Sequence, residues 1–300
     1  MRKRFSLVLV ISIIISTSAK AGSWQDCGND ANGNPANCQY KIEGGTLTIK
    51  KGDDAENIGS IGYWWSAEQQ DYISPWGKQN FENVVIENGI EDLGSYGFVN
   101  VQSVNPINVP TSVSTIGFAS FQALIAPEVI LPDSVTKIGS VAFYDSYIDK
   151  INIPNSVTEI ESGFRGSHFT DIIVPDTVEY IGNRGFSYCD DLKSITIGEN
   201  TQFGEIFSGN TDDEYVTDIK NLKIYCTGDT AKCDANLAAA GYENLKSVAA
   251  TVKTMNGKTY VYVNGSRVAF SGRHVAKRIY TIEEANAVAG ERNTVRIKYR

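Results

Sequence analysis

The chain has 300 residues, a formal net charge of −8 and only two histidines, His168 and His274. The negative charge argues against a nucleic-acid partner, because phosphate binding needs a basic face. Two histidines leave almost no material for a Ser-His-Asp triad or a histidine-rich metal site.

Residues 1–21 have the pattern of a secretory signal peptide. A basic start is followed by the apolar run 5–15 and by Ala19-Lys20-Ala21, a small-residue cleavage pattern. The apolar run is about half the roughly 20 residues that a membrane helix needs. We therefore expect cleavage after Ala21, export, and a mature chain without a transmembrane segment. Loss of four cations changes the net charge from −8 to −12.

Residues 22–80 precede a repeated region and are predicted to form its N-terminal cap. Three of the four tryptophans fall within 13 residues of this segment, Trp64, Trp65 and Trp76. Covering the apolar end of the first repeat is a sufficient role for them, and a sugar-stacking platform is the alternative. Since the chain is expected to be exported, Cys27 and Cys38 are predicted to form a short-loop disulfide.

A short phrase, Pro-x-Ser/Thr-Val-x-x-Ile, recurs along the middle of the chain. Its copies begin 22, 22 and 21 residues apart, and a phenylalanine follows each copy. An earlier copy has Glu87 in the proline place, and a degenerate copy follows at Gly198. A fixed period of 20 to 29 residues is typical of a solenoid of stacked coils. The starting prolines are Pro110, Pro132, Pro154 and Pro175, and the phenylalanines are Phe121, Phe143, Phe164 and Phe186.

Two apolar residues separated by one residue precede each copy, which predicts a short strand with one buried face. Strands in the same phase of every repeat predict a parallel sheet with a continuous core. Cys189 falls on a small, inward-pointing place of the repeat, which favours a buried structural thiol over a reactive one. The strand pairs are Val84 and Ile86, Ile107 and Val109, Val129 and Leu131, Ile151 and Ile153, Ile172 and Val174, and Ile195 and Ile197, with Leu222 and Ile224 as a further candidate.

The phrase that runs through Leu131–Phe143, Ile151–Phe164 and Val174–Cys189 resembles the BspA-type leucine-rich repeat of secreted and surface bacterial proteins. The resemblance implies a β-rich, right-handed leucine-rich-repeat solenoid with a parallel β-sheet, over residues 81–245. Members of this family are generally regarded as adhesion or host-interaction proteins. One departure is Glu161, which stands where the family usually has glycine, and it puts the regularity of that turn in doubt.

The end of the chain has a different pattern. Cys226 and Cys233 are predicted to form a second short-loop disulfide, and the alanine-rich segment 234–240 predicts a short helix ending at Gly241. Asn256-Gly257 and Asn264-Gly265 between alternating residues predict a three-stranded meander. A capping box at 281–284 and alternation over 294–299 add a helix and a strand. Residues 246–300 are therefore predicted to be a small C-terminal α+β module.

The middle residue of each predicted strand points outward, so these residues together predict one continuous stripe on the sheet face. Its apolar and neutral polar side chains are typical of a binding surface, and solenoids bind partners on such faces. We predict that a protein or glycan on a host or neighbouring cell surface docks there. The stripe comprises Val85, Asn108, Ile130, Asn152, Ile173, Thr196 and Lys223.

Catalysis is not expected. The chain has no G-x-S-x-G, H-E-x-x-H, phosphate-loop or Rossmann glycine pattern, and its acidic pairs lack the spacing of a calcium loop. No metal and no cofactor are therefore predicted. The alternatives to a protein-binding role are a carbohydrate-binding module that uses Trp64, Trp65 and Trp76, a structural protein of the cell envelope, and a hydrolase with an unrecognised site.

Overall fold

The computed structural model describes residues 22–30, 32–66, 71–77, 79–208, 219–255 and 258–269. The predicted signal peptide, the turn at 256–257, and the predicted helix and strand after residue 280 lie outside these residues. Within the described part of the chain, no helix is long and apolar enough to cross a membrane.

Short strands dominate the structure. The first six precede the repeats: β1 (Gln25–Asp26), β2 (Cys38–Glu43), β3 (Thr46–Lys51), β4 (Gly59–Ser60), β5 (Trp64–Ser66) and β6 (Asp71–Ile73). The next nine are β7 (Asn80–Phe81), β8 (Asn83–Ile86), β9 (Ile90–Asp92), β10 (Gln102–Ser103), β11 (Ile107–Asn108), β12 (Thr115–Ile116), β13 (Ile125–Ile130), β14 (Lys137–Ile138) and β15 (Tyr147–Ile151).

The rest of the chain adds ten strands and one helix among the described residues. They are β16 (Glu159–Ile160), β17 (Asp171–Ile173), β18 (Tyr180–Ile181), β19 (Ser194–Ile197), β20 (Gln202–Phe203), β21 (Lys223–Cys226), α1 (Thr230–Ala239), β22 (Ser247–Ala249), β23 (Thr251–Met255), β24 (Lys258–Val263) and β25 (Ser266–Arg267).

The predicted strands up to β15 align in one parallel ladder, and those from β17 onward belong to another sheet. β3, β8, β11, β13 and β15 are neighbours in that order, and Ile107 pairs with Val129, which pairs with Ile151. A second parallel sheet, β4-β9-β12-β14, forms another side of the same coils. The predicted register of the repeats is therefore confirmed over these strands.

The phenylalanine of each repeat stacks on the phenylalanine of the next. Phe98, Phe121, Phe143, Phe164 and Phe186 are fully buried, and neighbouring ring centroids lie 5.0 to 5.7 Å apart. Offset-stacked rings at such distances stabilise the core beyond the burial of their area. Trp76 is also buried and lies 5.2 Å from the Phe98 ring, so it extends the stack toward the N-terminus.

The serine of the repeated phrase links each coil to the one before it. Ser134 donates its hydroxyl proton to the carbonyl oxygen of Val113 at 2.7 Å, and Thr177, in the same place, donates to that of Val157 at 3.2 Å. These bonds satisfy backbone carbonyls that the short strands leave without a ladder partner. Cys189 occupies the predicted inward place, and its thiol donates to the carbonyl oxygen of Phe164 at 3.2 Å.

Both sheets are interrupted at the same junction, between the coil that contains β14 and the coil that contains β16. Neither β14 and β16 nor β15 and β17 share a ladder in the described chain. Glycines allow close approach before this point, because a Cβ on Gly139 would lie 2.9 Å from the backbone carbon of Gly117. Glu161 carries a Cβ at the next equivalent place, which accounts for the break between β14 and β16. We call this junction the seam.

After the seam, β17, β19, β21 and β22 form a parallel sheet, and β23, β24 and β25 form an antiparallel one. Disulfides join Cys27 to Cys38 and Cys226 to Cys233, and the second ties α1 to β21. The helix begins earlier than predicted because the side chain of Asp229 accepts a hydrogen bond from the backbone nitrogen of Ala231 as an N-cap.

Candidate functional site

The outward face of the main sheet is open on the N-terminal side of the seam. Val85 and Ile130 are 43% and 40% exposed, and Asn108 lies between them in register with both. Thr48 of β3 pairs with Val85 and extends the row by one strand. We call Thr48, Val85, Asn108 and Ile130 the open stripe.

Asn152 differs from the other predicted stripe residues, although it is exposed. Its amide group accepts a hydrogen bond from the backbone nitrogen of Leu131 at 2.8 Å and donates one to the Leu131 carbonyl at 2.7 Å. The side chain thus replaces strand pairing at the edge of the seam. Its polar atoms are already engaged within the chain.

The predicted stripe does not remain solvent-exposed along its length on the C-terminal side of the seam. Thr196 is fully buried, and its hydroxyl oxygen has no hydrogen-bond partner. Ile173 is only partly exposed. The expectation that both residues belong to an accessible face was wrong for Thr196 and only partly right for Ile173.

The register of β21 is also corrected. Thr196 pairs with Tyr225, and Ser194 pairs with Lys223. The predicted outward neighbour of Thr196 was Lys223, two residues away from the observed one. The difference follows from Cys226, which takes the place opposite Ile197 that the prediction gave to Ile224. We call Ile173, Thr196 and Tyr225 the covered stripe.

The strands that follow β22 cover this stripe. Tyr225, Ala250 and Val261 form a separate buried cluster, and Ile173, Val263 and Val268 pack against it. Val261 is completely buried and Val263 is partly buried. These two residues lie on one face of β24, since alternate residues of a strand point the same way. An apolar strand face of the chain itself therefore occupies the C-terminal part of the sheet face.

At the opposite end, two lysines and a tryptophan border the open stripe. The Lys50 and Lys41 ammonium groups lie 4.5 Å and 5.2 Å from the centre of the Trp24 ring. Lys41 pairs with Thr48, which places this cluster directly beside the stripe. These residues were not predicted from the sequence, although alternation over β3 was a signal that could have extended the stripe to Thr48.

The sugar-stacking platform, the alternative role of the three tryptophans, is not formed with all three rings. Trp76 is only 2% exposed and packs between Tyr40 and Phe98, so it does not offer a ring face to a sugar. Trp64 is 44% exposed. The side chain of Trp65 lies outside the described part of the structure. Trp76 therefore has the core-covering role that was predicted for it.

His168 has a structural environment. Its ring stacks on Tyr147 with centroids 4.0 Å apart, and its nitrogens lie 3.0 Å and 3.3 Å from carboxylate oxygens of Asp191 and Asp145. Burial alone would lower the pKa of His168, but the two carboxylates outweigh it and raise the pKa to about 9. The imidazolium thus bridges three successive coils across the seam.

The thiol of Cys189 has low reactivity, since burial raises its pKa well above the ordinary value and so disfavours the reactive thiolate. Within the described residues, no group of three or more His, Cys, Asp or Glu side chains is arranged to hold a metal ion. The arrangement of the open stripe suits contact with a partner, with no nucleophile or general base placed on it.

A family model for the BspA-type leucine-rich repeat region matches six copies in the chain, over residues 76–193 and 161–208. No curated protein matches the chain.

Similar solved structures include a leucine-rich cell surface protein from Faecalibacterium prausnitzii A2-165. It is 20% identical over 56% of this chain and 54% of its own, with a TM-score of 0.28. The pneumococcal vaccine antigen PcpA is 14% identical over 79% of this chain and 100% of its own, with a TM-score of 0.27. A leucine-rich repeat protein from Eubacterium ventriosum ATCC 27560 is 18% identical over 76% and 68%, with a TM-score of 0.31. The chain spans about half the length of the first of these proteins, 54%.

Proposed function

Because residues 76–208 belong to the BspA-type leucine-rich repeat family, we propose that this protein is an exported, non-catalytic binding protein that holds a protein partner on the open stripe. The repeats and their caps form a solenoid scaffold, and the open stripe is its binding surface. The setting is a cell surface, where the protein contributes to adhesion or host contact.

The packing of β24 on the covered stripe is the observation that supports a protein partner. The open and covered stripes are the same outward row of successive strands, separated only by the seam. On the covered part, Val261 of β24 is buried in one cluster with Tyr225, and Ile173 and Val263 pack against that cluster. The row thus accepts an apolar strand face of a polypeptide, and Val85 and Ile130 offer similar apolar contacts to a strand from another protein.

The surroundings of the open stripe favour specific binding over nonspecific hydrophobic adsorption. The amide of Asn105 donates to the side-chain oxygen of Asn83 at 2.9 Å, and the amide of Asn83 lies 3.4 Å from the Thr46 hydroxyl. This fixed polar row runs along the N-terminal strands of the same sheet. A few apolar residues with a polar border are typical of a protein interface.

The test is a double variant, Val85→Lys with Ile130→Lys, in the purified exported protein. Labelled protein is applied to cultured epithelial cells and to immobilised extracellular matrix. We expect the wild type to bind and the double variant to lose at least about tenfold in affinity, because two charges would have to be desolvated in the interface. Its melting temperature should stay nearly unchanged, since both positions are exposed.

The matched control is Val252→Lys with Met255→Lys on β23. These residues are also exposed, at 36% and 44%, but lie away from the open stripe. This control should bind as the wild type does. Equal binding by the stripe variant and the control would contradict the proposal, and so would a wild type that binds neither cells nor matrix.

A further inference from the structure

Arg165 lies in the turn segment between β16 and β17, on a different side of the coils from the open stripe. Its guanidinium carbon is 5.0 Å from the centre of the Tyr188 ring and 5.5 Å from that of Tyr144. The cation is thus held against two rings from the preceding and following coils. Such contacts fix the plane of a guanidinium while leaving its N–H groups at the edge.

The backbone of this segment supports the arrangement. Asp145 donates its backbone N–H to the Arg165 carbonyl at 3.2 Å, and Gly166 donates to the Ser187 carbonyl at 2.7 Å. Gly166 has a φ of +69°, and a Cβ there would lie 3.3 Å from the Tyr144 ring. A residue with a side chain at 166 would therefore strain the backbone and crowd the ring that holds Arg165.

The charge of Arg165 is not matched within the described residues. None of the ion pairs there includes Arg165, and its buried Nε has no hydrogen-bond partner. Asp145 and Asp191, two of the acidic residues of the adjacent coils, are engaged by His168. A partly desolvated guanidinium with open donors is costly for a protein to keep unless something outside the chain binds it.

We propose that Arg165, held between Tyr144 and Tyr188, is a binding site for a single carboxylate group on a small ligand or on an acidic sugar unit. The planar fork of the guanidinium matches the two oxygens of a carboxylate. The flanking rings offer apolar edges to the carbon skeleton that carries it. This site is separate from the open stripe and does not depend on a protein docking there.

The test is a titration followed by NMR of arginine Nε–H groups in the purified exported protein, with sodium acetate, sodium glucuronate, N-acetylneuraminate and neutral glucose. The Arg165 signal is assigned by its loss in Arg165→Lys. We expect the carboxylates to shift this signal saturably and glucose to leave it in place. Tighter binding of glucuronate or N-acetylneuraminate than of acetate identifies a sugar-borne carboxylate. Equal binding identifies a site for the carboxylate alone.

Arg165→Lys keeps the charge but loses the paired N–H donors, so affinity measured by calorimetry should fall by about tenfold or more. The matched control is Arg267→Lys, because Arg267 also lies over a tyrosine ring, 4.6 Å from the centre of Tyr260, but on exposed β25. That control should bind like the wild type.

A wild-type Arg165 signal that does not move with any carboxylate would overturn the proposal. The same conclusion would follow if Arg165→Lys and Arg267→Lys weakened binding equally, since the effect would then be one of general charge. If Arg165→Lys does not fold, calorimetric titration of the wild type still decides the question, because a chain that binds none of the carboxylates would overturn the proposal.

Discussion

The two halves of the outward sheet face have the same repeat origin and opposite accessibility. On the N-terminal side of the seam, Val85 and Ile130 are 43% and 40% exposed, whereas Thr196 and Tyr225 on the C-terminal side are 0% and 7% exposed. The difference does not come from the coils, whose strands continue in the same parallel sense. It comes from β24, whose valine face lies on the second half.

This contrast indicates what the face can accommodate. One half shows the row with a polypeptide strand packed on it, and the other shows the same row without one. Burial of a valine side chain is worth about 1.5–3 kcal/mol, so a few such contacts are enough to hold a strand in place. The open half is therefore the part of the face available to another protein.

The largest expected effect is that of placing a charge on the covered half. Thr196→Lys should lower the free energy of unfolding by about 2–4 kcal/mol, because the ammonium group must be buried or β24 must be displaced. The matched change on the open half, Asn108→Lys, should cost less than about 0.5 kcal/mol. Urea unfolding of both variants checks this, and equal costs would refute the contrast between the halves.

The bridge across the seam should make stability depend on pH. The pKa of His168 is raised in the folded chain to about 9, above its ordinary value of about 6.5. Its contribution is thus fully present below pH 6.5 and is lost as the pH rises toward 9, on the order of 2–3 kcal/mol. The free energy of unfolding of the wild type should fall over this range, while that of His168→Gln should depend much less on pH. Parallel profiles would show that the bridge does not join the halves.

A smaller effect separates two asparagines of the predicted stripe. Asn152→Ala removes both hydrogen bonds to the backbone of Leu131 and should cost about 1–2 kcal/mol. Asn108→Ala should cost only a few tenths of a kcal/mol, since Asn108 is exposed on the open stripe. Chemical denaturation measures both. A costly Asn108→Ala with a neutral Asn152→Ala would reverse the assigned roles.

The repeat made much of the scaffold predictable. Ile107 and Val129 could be aligned from the sequence because every repeat solves the same packing problem with the same residue types. Glu161 stands where the family usually has glycine, which also pointed to an irregular turn. The seam lies at this turn. Spacing was sufficient for the alignment of the strands, and the resemblance to the family for the irregular turn.

The covering of the face was not predictable in the same way. Alternation shows that Val261 and Val263 share a face of β24, but it does not show which surface that face meets. The register of Tyr225 was missed because residues between the last repeat and β21 break the spacing that located the other strands. Non-local packing of this kind decides whether Thr196 is a binding residue or a core residue.

The central claim is best tested by the accessibility of two introduced thiols, in Ile130→Cys and Thr196→Cys, toward a water-soluble alkylating reagent under native conditions. Cys189 should add little background, because it is buried and burial raises its pKa. We predict that Ile130→Cys reacts nearly as fast as an unfolded control and that Thr196→Cys reacts at least about tenfold more slowly, since it must wait for β24 to open. Equal rates at the two positions would contradict the account.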